Sequence, residues 1–416
     1  MGWWKKEEVI LLFIKGWFYT ILFYCFFSMG EFMTDFLIEE EPTEFAIEKI
    51  TQLLIHHCQK LGASDIFINT GTPIFVNVNG RKHPVTRRPC NHSDLLSIID
   101  QTRNVSNSES LLGSGLALNY AYSFMPSRSS EYSIRVRCNA TKMDGKGNFN
   151  LVARLINSVP PTAHELKVEQ CIIDAAKNST QGMILLCGAT GSGKSTTLAS
   201  IIRFLLEQEN GNHHFIDIGA PIEYCFDDIY KPSSIVTTIS VPDSLPTFQD
   251  AIAECMRKAP TMIQVTEMRD TPTLLAGMEA SKTGHLLFST LHANNTVLAI
   301  KRMLSLLPVG MQNSGELDII DLSNMFVAQV LAPTVDGKRC AIREIFTFDA
   351  DVRQRLYQSK NIVDDCTKIL GEYGRPMSVD IEEKYKDGII SKETRDKLNM
   401  NYQRATLDAK GVKINQ

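Results

Sequence analysis

Gly188, Gly193, Lys194 and Ser195 stand in the spacing Gly-x-x-x-x-Gly-Lys-Ser, within the run Gly188, Ala189, Thr190, Gly191, Ser192, Gly193, Lys194, Ser195, Thr196. An apolar stretch at 183–187, expected as a strand, precedes this run, and a helical pattern to about residue 208 follows it. Strand, glycine-rich loop and helix in that order make a cradle for phosphate. The glycines let successive backbone N–H groups converge on phosphate oxygens, and the helix N-terminus adds about half a positive charge. A lysine at position 194 reaches β- and γ-phosphates, and a hydroxyl at position 195 holds Mg²⁺. The spacing predicts ATP and Mg²⁺ as ligands of this segment.

Two further segments carry chemistry suited to such a site. TMIQVTEMRD, residues 261–270, is an apolar run that ends in acid, which would place the Glu267 carboxylate beside a metal ion and an attacking water. The alternative is a strand-end carboxylate paired with Arg269 for structure alone. Residues 284–292 form another apolar strand, bracketed by His285 and His292. Ser289, Thr290 and His292 at its end suit a sensor of the γ-phosphate, although each lone histidine, on chemistry alone, would be a satisfied structural residue.

These segments must be positioned by a larger frame. At 416 residues the chain suits two domains. The formal charge of −4 gives no basic bias of the kind that marks a nucleic-acid binder, and no Lys/Arg cluster with interleaved aromatics is present. No direct nucleic-acid binding is therefore predicted. The ten cysteines, from Cys25 to Cys366, form no C-x-x-C pair and read as reduced thiols, small and buried.

The first 28 residues differ from the rest, because residues 9–27 are apolar apart from Lys15, Gly16 and Thr20. That is about one membrane span in length, with a lysine that costs roughly 2.5–3.5 kcal/mol on insertion scales. Three readings stand: a membrane anchor, a surface-lying aromatic helix, or upstream sequence read in frame before a start at Met29 or Met33. An acidic linker, Glu39 to Glu41 and then Pro42, follows.

Beyond the linker, Thr43 is the expected N-cap of a helix over 44–61. DIFINT and PIFVNVNG then read as a hairpin, with Asn79-Gly80 as a turn, and a second helix is expected over 94–102. YSIRVRCNA and FNLVARLI read as paired strands, and Pro160-Pro161 closes this α/β domain. The segment after residue 357 is charged, with helices expected over 381–385 and 392–405 and a mostly solvated face. The expected division is an extension and linker at 1–41, domains at 42–161 and 162–356, and a helical tail at 357–416.

In order along the chain, five segments resemble motifs of the type II/type IV secretion-superfamily ATPases, the PilT-like class. GASDIFINTGTPIFVNVNG resembles the N-terminal signature, GATGSGKSTTLASII the Walker A motif, APIEY the acidic box, EMRD the Walker B motif and TGHLLFSTLHANN the histidine box. The resemblance runs from about residue 62 to about 348. It implies a RecA-like P-loop NTPase domain behind a smaller PAS-like α/β domain, assembled as a homo-hexamer. It also implies that Glu267 is the catalytic glutamate and a metal ligand with Ser195, that His292 senses the γ-phosphate, and that Glu223 lies near the metal. Arg137 and Arg154 match arginines that reach the nucleotide of a neighbouring subunit; read from the residues alone, both are ordinary exposed strand residues.

The chain departs from the family pattern in places. Gly219 and Ala220 precede Pro221-Ile222-Glu223 where pilus motors carry Glu-Asp, with Asp217 as a candidate replacement, and Thr266 stands where the family has glycine. The four-cysteine zinc insert of type II secretion ATPases is absent. The APIEY form and the long tail resemble the DotB and conjugative-transfer TraJ branch. The implied activity is ATP hydrolysis that drives type IVB-like, Dot/Icm-like secretion or conjugation, in the cytoplasm beside inner-membrane components. A pilus-retraction motor is the alternative, and a nucleic-acid translocase or a nucleotide-gated scaffold stand beyond it.

Overall fold

The computed structural model describes residues 36–127, 130, 133–144, 147–156, 159–220, 222–242 and 244–409. The apolar run 9–27 lies outside them, as do Pro221 and, between the expected strands YSIRVRCNA and FNLVARLI, Gly145 and Lys146. Among the described residues no helix is long and apolar enough to cross a membrane. The chain divides into two compact units, Met1–Asn157 and Ser158–Gln416.

The first unit runs α1 (Glu48–Lys60), β1 (Asp65–Asn69), β2 (Phe75–Val78), β3 (Arg81–Pro84), α2 (His92–Arg103), α3 (Ser108–Gly113), β4 (Leu118–Phe124), β5 (Ile134–Lys142) and β6 (Phe149–Ile156). Its strands form one antiparallel sheet in the order β3-β2-β1-β6-β5-β4. Alternation explains its two faces: Ile134, Val136, Cys138 and Ala140 of β5 enter the core, with Arg137 on the opposite, exposed side. Leu54 and Ile55 of α1, with Leu95, Ile98 and Ile99 of α2, fill the same core. Asn79 and Gly80, both at positive φ, make the expected two-residue turn between β2 and β3.

The first helix starts later than the sequence suggests. Thr43 is not its N-cap; that position falls to Ile47, which offers no side-chain cap. The reason lies just upstream, where the Phe45 N–H donates to Asp94 Oδ1 at 3.0 Å and the Phe45 ring is buried. Docking the chain there holds it extended before the helix can begin. Asp94 also completes a reciprocal capping box with Asn91 at the start of α2.

The second unit runs α4 (Gln170–Asn178), β7 (Gly182–Cys187), α5 (Lys194–Leu206), β8 (His214–Gly219), β9 (Ile235–Ser240), α6 (Phe248–Cys255), β10 (Met262–Val265), α7 (Thr271–Lys282) and β11 (Leu286–Leu291). It continues through α8 (Thr296–Leu306), α9 (Gln312–Leu322), β12 (Ser323–Pro333), β13 (Arg339–Thr347), α10 (Ala350–Tyr357), α11 (Ile362–Tyr373), α12 (Met377–Lys386) and α13 (Lys392–Ala409). The sheet order is β13-β12-β7-β11-β10-β8-β9, parallel throughout except for the edge strand β13. Every residue of β7, β10 and β11 is buried, as strands covered by helices on both faces must be. Two separate apolar clusters fill the two faces. This is the α/β class that the alternation of strands and helices predicts.

The helices after residue 357 differ from the expected solvated tail. Ile369 and Leu370 of α11, Met377 and Ile381 of α12, and Ile390 join the main core of the second unit. Met377 and Ile381 stand one turn apart, so a single stripe of an otherwise charged helix is enough to dock it.

Candidate functional site

Parallel pairing brings the chemistry together. Leu291 is level with Cys187, and Val265 with Ser289, so the chain leaving β7, β11 and β10 emerges along one edge of the sheet. Gly188 follows β7, His292 follows β11, and Glu267 lies two residues beyond β10. The crevice at the carboxyl ends of such strands is where ligands bind in open α/β sheets.

The loop after β7 has the backbone of a phosphate cradle. Gly188, Gly191 and Gly193 take φ values of 152°, 79° and 82°, which L side chains rarely adopt. At Gly188 a Cβ would also collide with the Gln329 carbonyl oxygen. Gly193 caps α5 in the left-handed region, aligning the helix start with the loop. Ala189, Thr190 and Gly191 form its exposed lip, while Ser195 and Thr196 are half-buried in the first helical turn.

Lys194 is buried, and its ammonium donates to the carbonyls of Gly188 at 2.8 Å and Ala189 at 2.9 Å. Burial pushes its pKa down, and the carboxylates of Glu267 and Glu223 are close enough to oppose that shift. Glu223 is tied to the same region, because the neighbouring Tyr224 hydroxyl donates to Thr196 Oγ1 at 2.8 Å. Glu267 Oε1 lies 3.3 Å from His292 Nε2, whereas Arg269 Nε stands 4.0 Å from the other carboxylate oxygen. The structure thus brings Lys194, Glu223, Glu267 and His292 to one place. A cavity of about 430 Å³ opens beside them, lined by Gly188, Ala189, His292 and, on α8, Lys301 and Arg302.

Three expectations change. The Ser289 and Thr290 hydroxyls are not available as sensors: they donate to the carbonyls of Val265 at 2.7 Å and Thr266 at 2.6 Å, stitching β11 to β10. Of that trio only His292 is left facing the site. Asp217 does not stand in for the missing acidic pair. It is 1 % exposed in the body of β8, level with Gln264 and below the strand end where Glu267 lies. The cysteines are not uniformly buried, since Cys171 is exposed and Cys340 half-buried.

The residues fit the nucleotide and the metal ion that the spacing implies. Ser192 Oγ is a buried hydroxyl of the loop that has no hydrogen-bond partner among the described residues. Ser195, Glu223 and Glu267 supply hard oxygen donors. That suits Mg²⁺, which is held by one or two protein oxygens together with substrate phosphates.

Arg137 and Arg154 belong to the first unit. They are direct cross-strand neighbours on β5 and β6, both exposed, and Arg154 pairs with Asp65. Sequence reasoning missed Gln329, Thr197 and Arg343. Gln329 and Thr197 meet although 132 residues apart, and nothing in the local sequence of β12 announces the contact.

Residues 39–411 match the family described as type II/IV secretion system protein. The chain is 32% identical over 311 residues to the type IV pilus ATPase PilU of Pseudomonas aeruginosa, covering 72% of this chain and 73% of that protein. Among solved structures it is similar to the ATPase DotB of Legionella pneumophila, with a TM-score of 0.81, 32% identity, and coverage of 88% of this chain and 99% of that one. It is also similar to the pilus retraction motor PilT with bound ADP, with a TM-score of 0.70, 26% identity, and coverage of 83% and 95%.

Proposed function

Because the chain belongs to the type II/IV secretion system protein family, we propose that it is an ATPase subunit of a homo-hexameric motor that drives type IVB, Dot/Icm-like secretion or conjugative transfer. The observation that carries the ATPase reading is the placement of the buried Lys194 and of Glu267, 3.3 Å from His292, just past the carboxyl ends of three neighbouring parallel strands. The likeness to DotB over nearly that whole chain supports the secretion branch. The likeness to the pilus retraction motor PilT favours a second reading, a pilus-retraction motor.

In the proposed mechanism the loop amides and Lys194 hold the phosphates, the lysine turning from the Gly188 and Ala189 carbonyls to do so. Ser195, with Glu267 and Glu223, would hold Mg²⁺, which supplies charge neutralisation on the phosphates. Glu267 orients the attacking water and accepts its proton, and His292 steadies Glu267 from the next strand. Arg137 and Arg154 are supplied by a neighbouring subunit and stabilise charge that develops on the γ-phosphoryl group, a contribution of roughly 10³–10⁵ in rate for arginines that act this way. Turnover then depends on subunit closure, which is how hydrolysis would become force beside inner-membrane components in the cytoplasm.

The test is release of phosphate from ATP by the purified chain, measured with and without Mg²⁺ and alongside its oligomeric state. Mg²⁺-dependent turnover by a hexamer is expected. A chain that binds ATP and never turns it over would be a nucleotide-gated scaffold instead.

A further inference from the structure

One buried side chain behind the phosphate loop touches it at several points. Gln329, 1 % exposed in the middle of β12, donates from Nε2 to the Ser192 carbonyl at 2.7 Å. Its Oε1 accepts from Thr197 Oγ1 at 2.9 Å and from Arg343 Nε at 2.8 Å. Its backbone oxygen closes the space behind Gly188, and its Nε2 lies 3.0 Å from where a Cβ on Gly193 would stand.

The bond to Ser192 has a geometric consequence for the loop. A trans peptide is planar, so its C=O and the following N–H point in opposite directions. Holding the Ser192 carbonyl toward Gln329 therefore aims the Gly193 N–H away from β12 and into the cradle, where a phosphate oxygen would accept it. Without that anchor the peptide plane is free to turn, which glycine at positive φ permits.

Gln329 is itself held. Arg343 on β13 is buried, and its guanidinium also donates to Glu169 Oε2 at 2.8 Å and to the Lys167 carbonyl at 3.1 Å. The Arg343 backbone N–H donates to Asp380 Oδ2 on α12 at 2.8 Å. Arg375 bonds both Glu169 and Asp380, so the acceptors are fixed in turn.

We propose that Gln329 is a positioning residue that keeps the phosphate loop in its nucleotide-accepting form, acting on affinity for the phosphates that ATP and ADP share. This rests on the nucleotide-binding reading above. Glu267 and His292 lie just past the ends of other strands, so the hydrolytic step is left to them.

The experiment compares the full chain with Gln329→Met and with Thr197→Val, a near-isosteric change that removes one of the three side-chain bonds. Binding of ATP and ADP, steady-state turnover and melting without nucleotide are measured for each. For Gln329→Met, Kd for both nucleotides should rise about tenfold or more, with kcat at saturating ATP changed less than about threefold. Thr197→Val should follow in the same direction by about threefold, with melting retained. A folded variant with wild-type Kd for both nucleotides overturns the role, as does a loss confined to kcat. A wild-type chain that binds neither nucleotide overturns the nucleotide reading and this role with it, whereas wild-type binding with unaltered variants overturns this role alone.

Discussion

Arg154 Nε lies 2.8 Å from Asp65 Oδ1, with Arg137 directly across the strand pair on the same exposed face. Arg154 is 65 % exposed and so within reach of another anion, while the buried Asp65 keeps its bond from the Ser64 hydroxyl. If Arg154 serves a neighbour's nucleotide, Arg154→Ala should cut ATP turnover by about a hundredfold or more. Asp65→Asn should leave turnover at least as fast as wild type. Mixing Arg154→Ala with Lys194→Ala subunits should restore part of the activity. Mixed rings that stay inactive, or a fully active Arg154→Ala chain, would refute the assignment.

Lys194→Ala and Glu267→Gln should fail differently. The first removes the charge that meets the phosphates, and ATP binding should be lost. The second keeps a side chain of the same shape that cannot take a proton, so binding should persist while turnover falls about a hundredfold or more. Equilibrium binding and phosphate release on the same preparations separate the two. Wild-type turnover by Glu267→Gln would remove Glu267 from the mechanism.

His292 touches Glu267 at 3.3 Å but none of the loop carbonyls that hold Lys194. His292→Ala should therefore lower kcat about tenfold to a hundredfold and move KM for ATP by less than about threefold. A large rise in KM with kcat intact would place His292 in binding instead.

Burial alone would raise the Asp94 carboxyl, but Arg88 and the N–H groups of Phe45 and Asn91 outweigh it and hold it below the usual carboxylate range. A depressed pKa contributes stability that is present above the unfolded value of about 3.9 and is lost as pH falls through the folded one. Asp94→Asn should cost about 1–3 kcal/mol near neutral pH, with the gap to wild type closing below about pH 4. Urea unfolding across that range reads it directly; a gap independent of pH would mean that charge is not the cause.

Ile381 is fully buried in the core of the second unit. Ile381→Ala should destabilise that unit by about 2–5 kcal/mol. A solvated tail predicts no change in melting, and calorimetry on the variant decides between them.

What the sequence made legible follows physical range. The loop at 188–196 and the turn at Asn79-Gly80 are set by neighbours in the chain, and both stand where spacing and glycine content put them. Positions fixed by distant partners were hidden. Thr43 lost its capping role to the docking of Phe45 on Asp94, 49 residues away. The Ser289 and Thr290 hydroxyls were taken by carbonyls of a neighbouring strand. Charge spacing in 357–409 hid a narrow apolar stripe that only packing reveals. Gln329 is the extreme case: a polar residue inside the otherwise apolar run 325–333, whose three bonds all arise from tertiary contact.

The order β12-β7-β11-β10 has a consequence for how the protein is made. Strand β7 bears the loop, yet its two neighbours, β11 and β12, begin about a hundred or more residues further along the chain. The first unit closes its sheet with β6 and can fold as soon as that strand is synthesised, in keeping with the vectorial habit of multidomain chains. On the ribosome, the segment carrying Lys194 emerges without flanking strands and without Gln329 behind it. Competence for nucleotide therefore arrives late in translation, and a chain released early, before residue 347, would present the motif without the site.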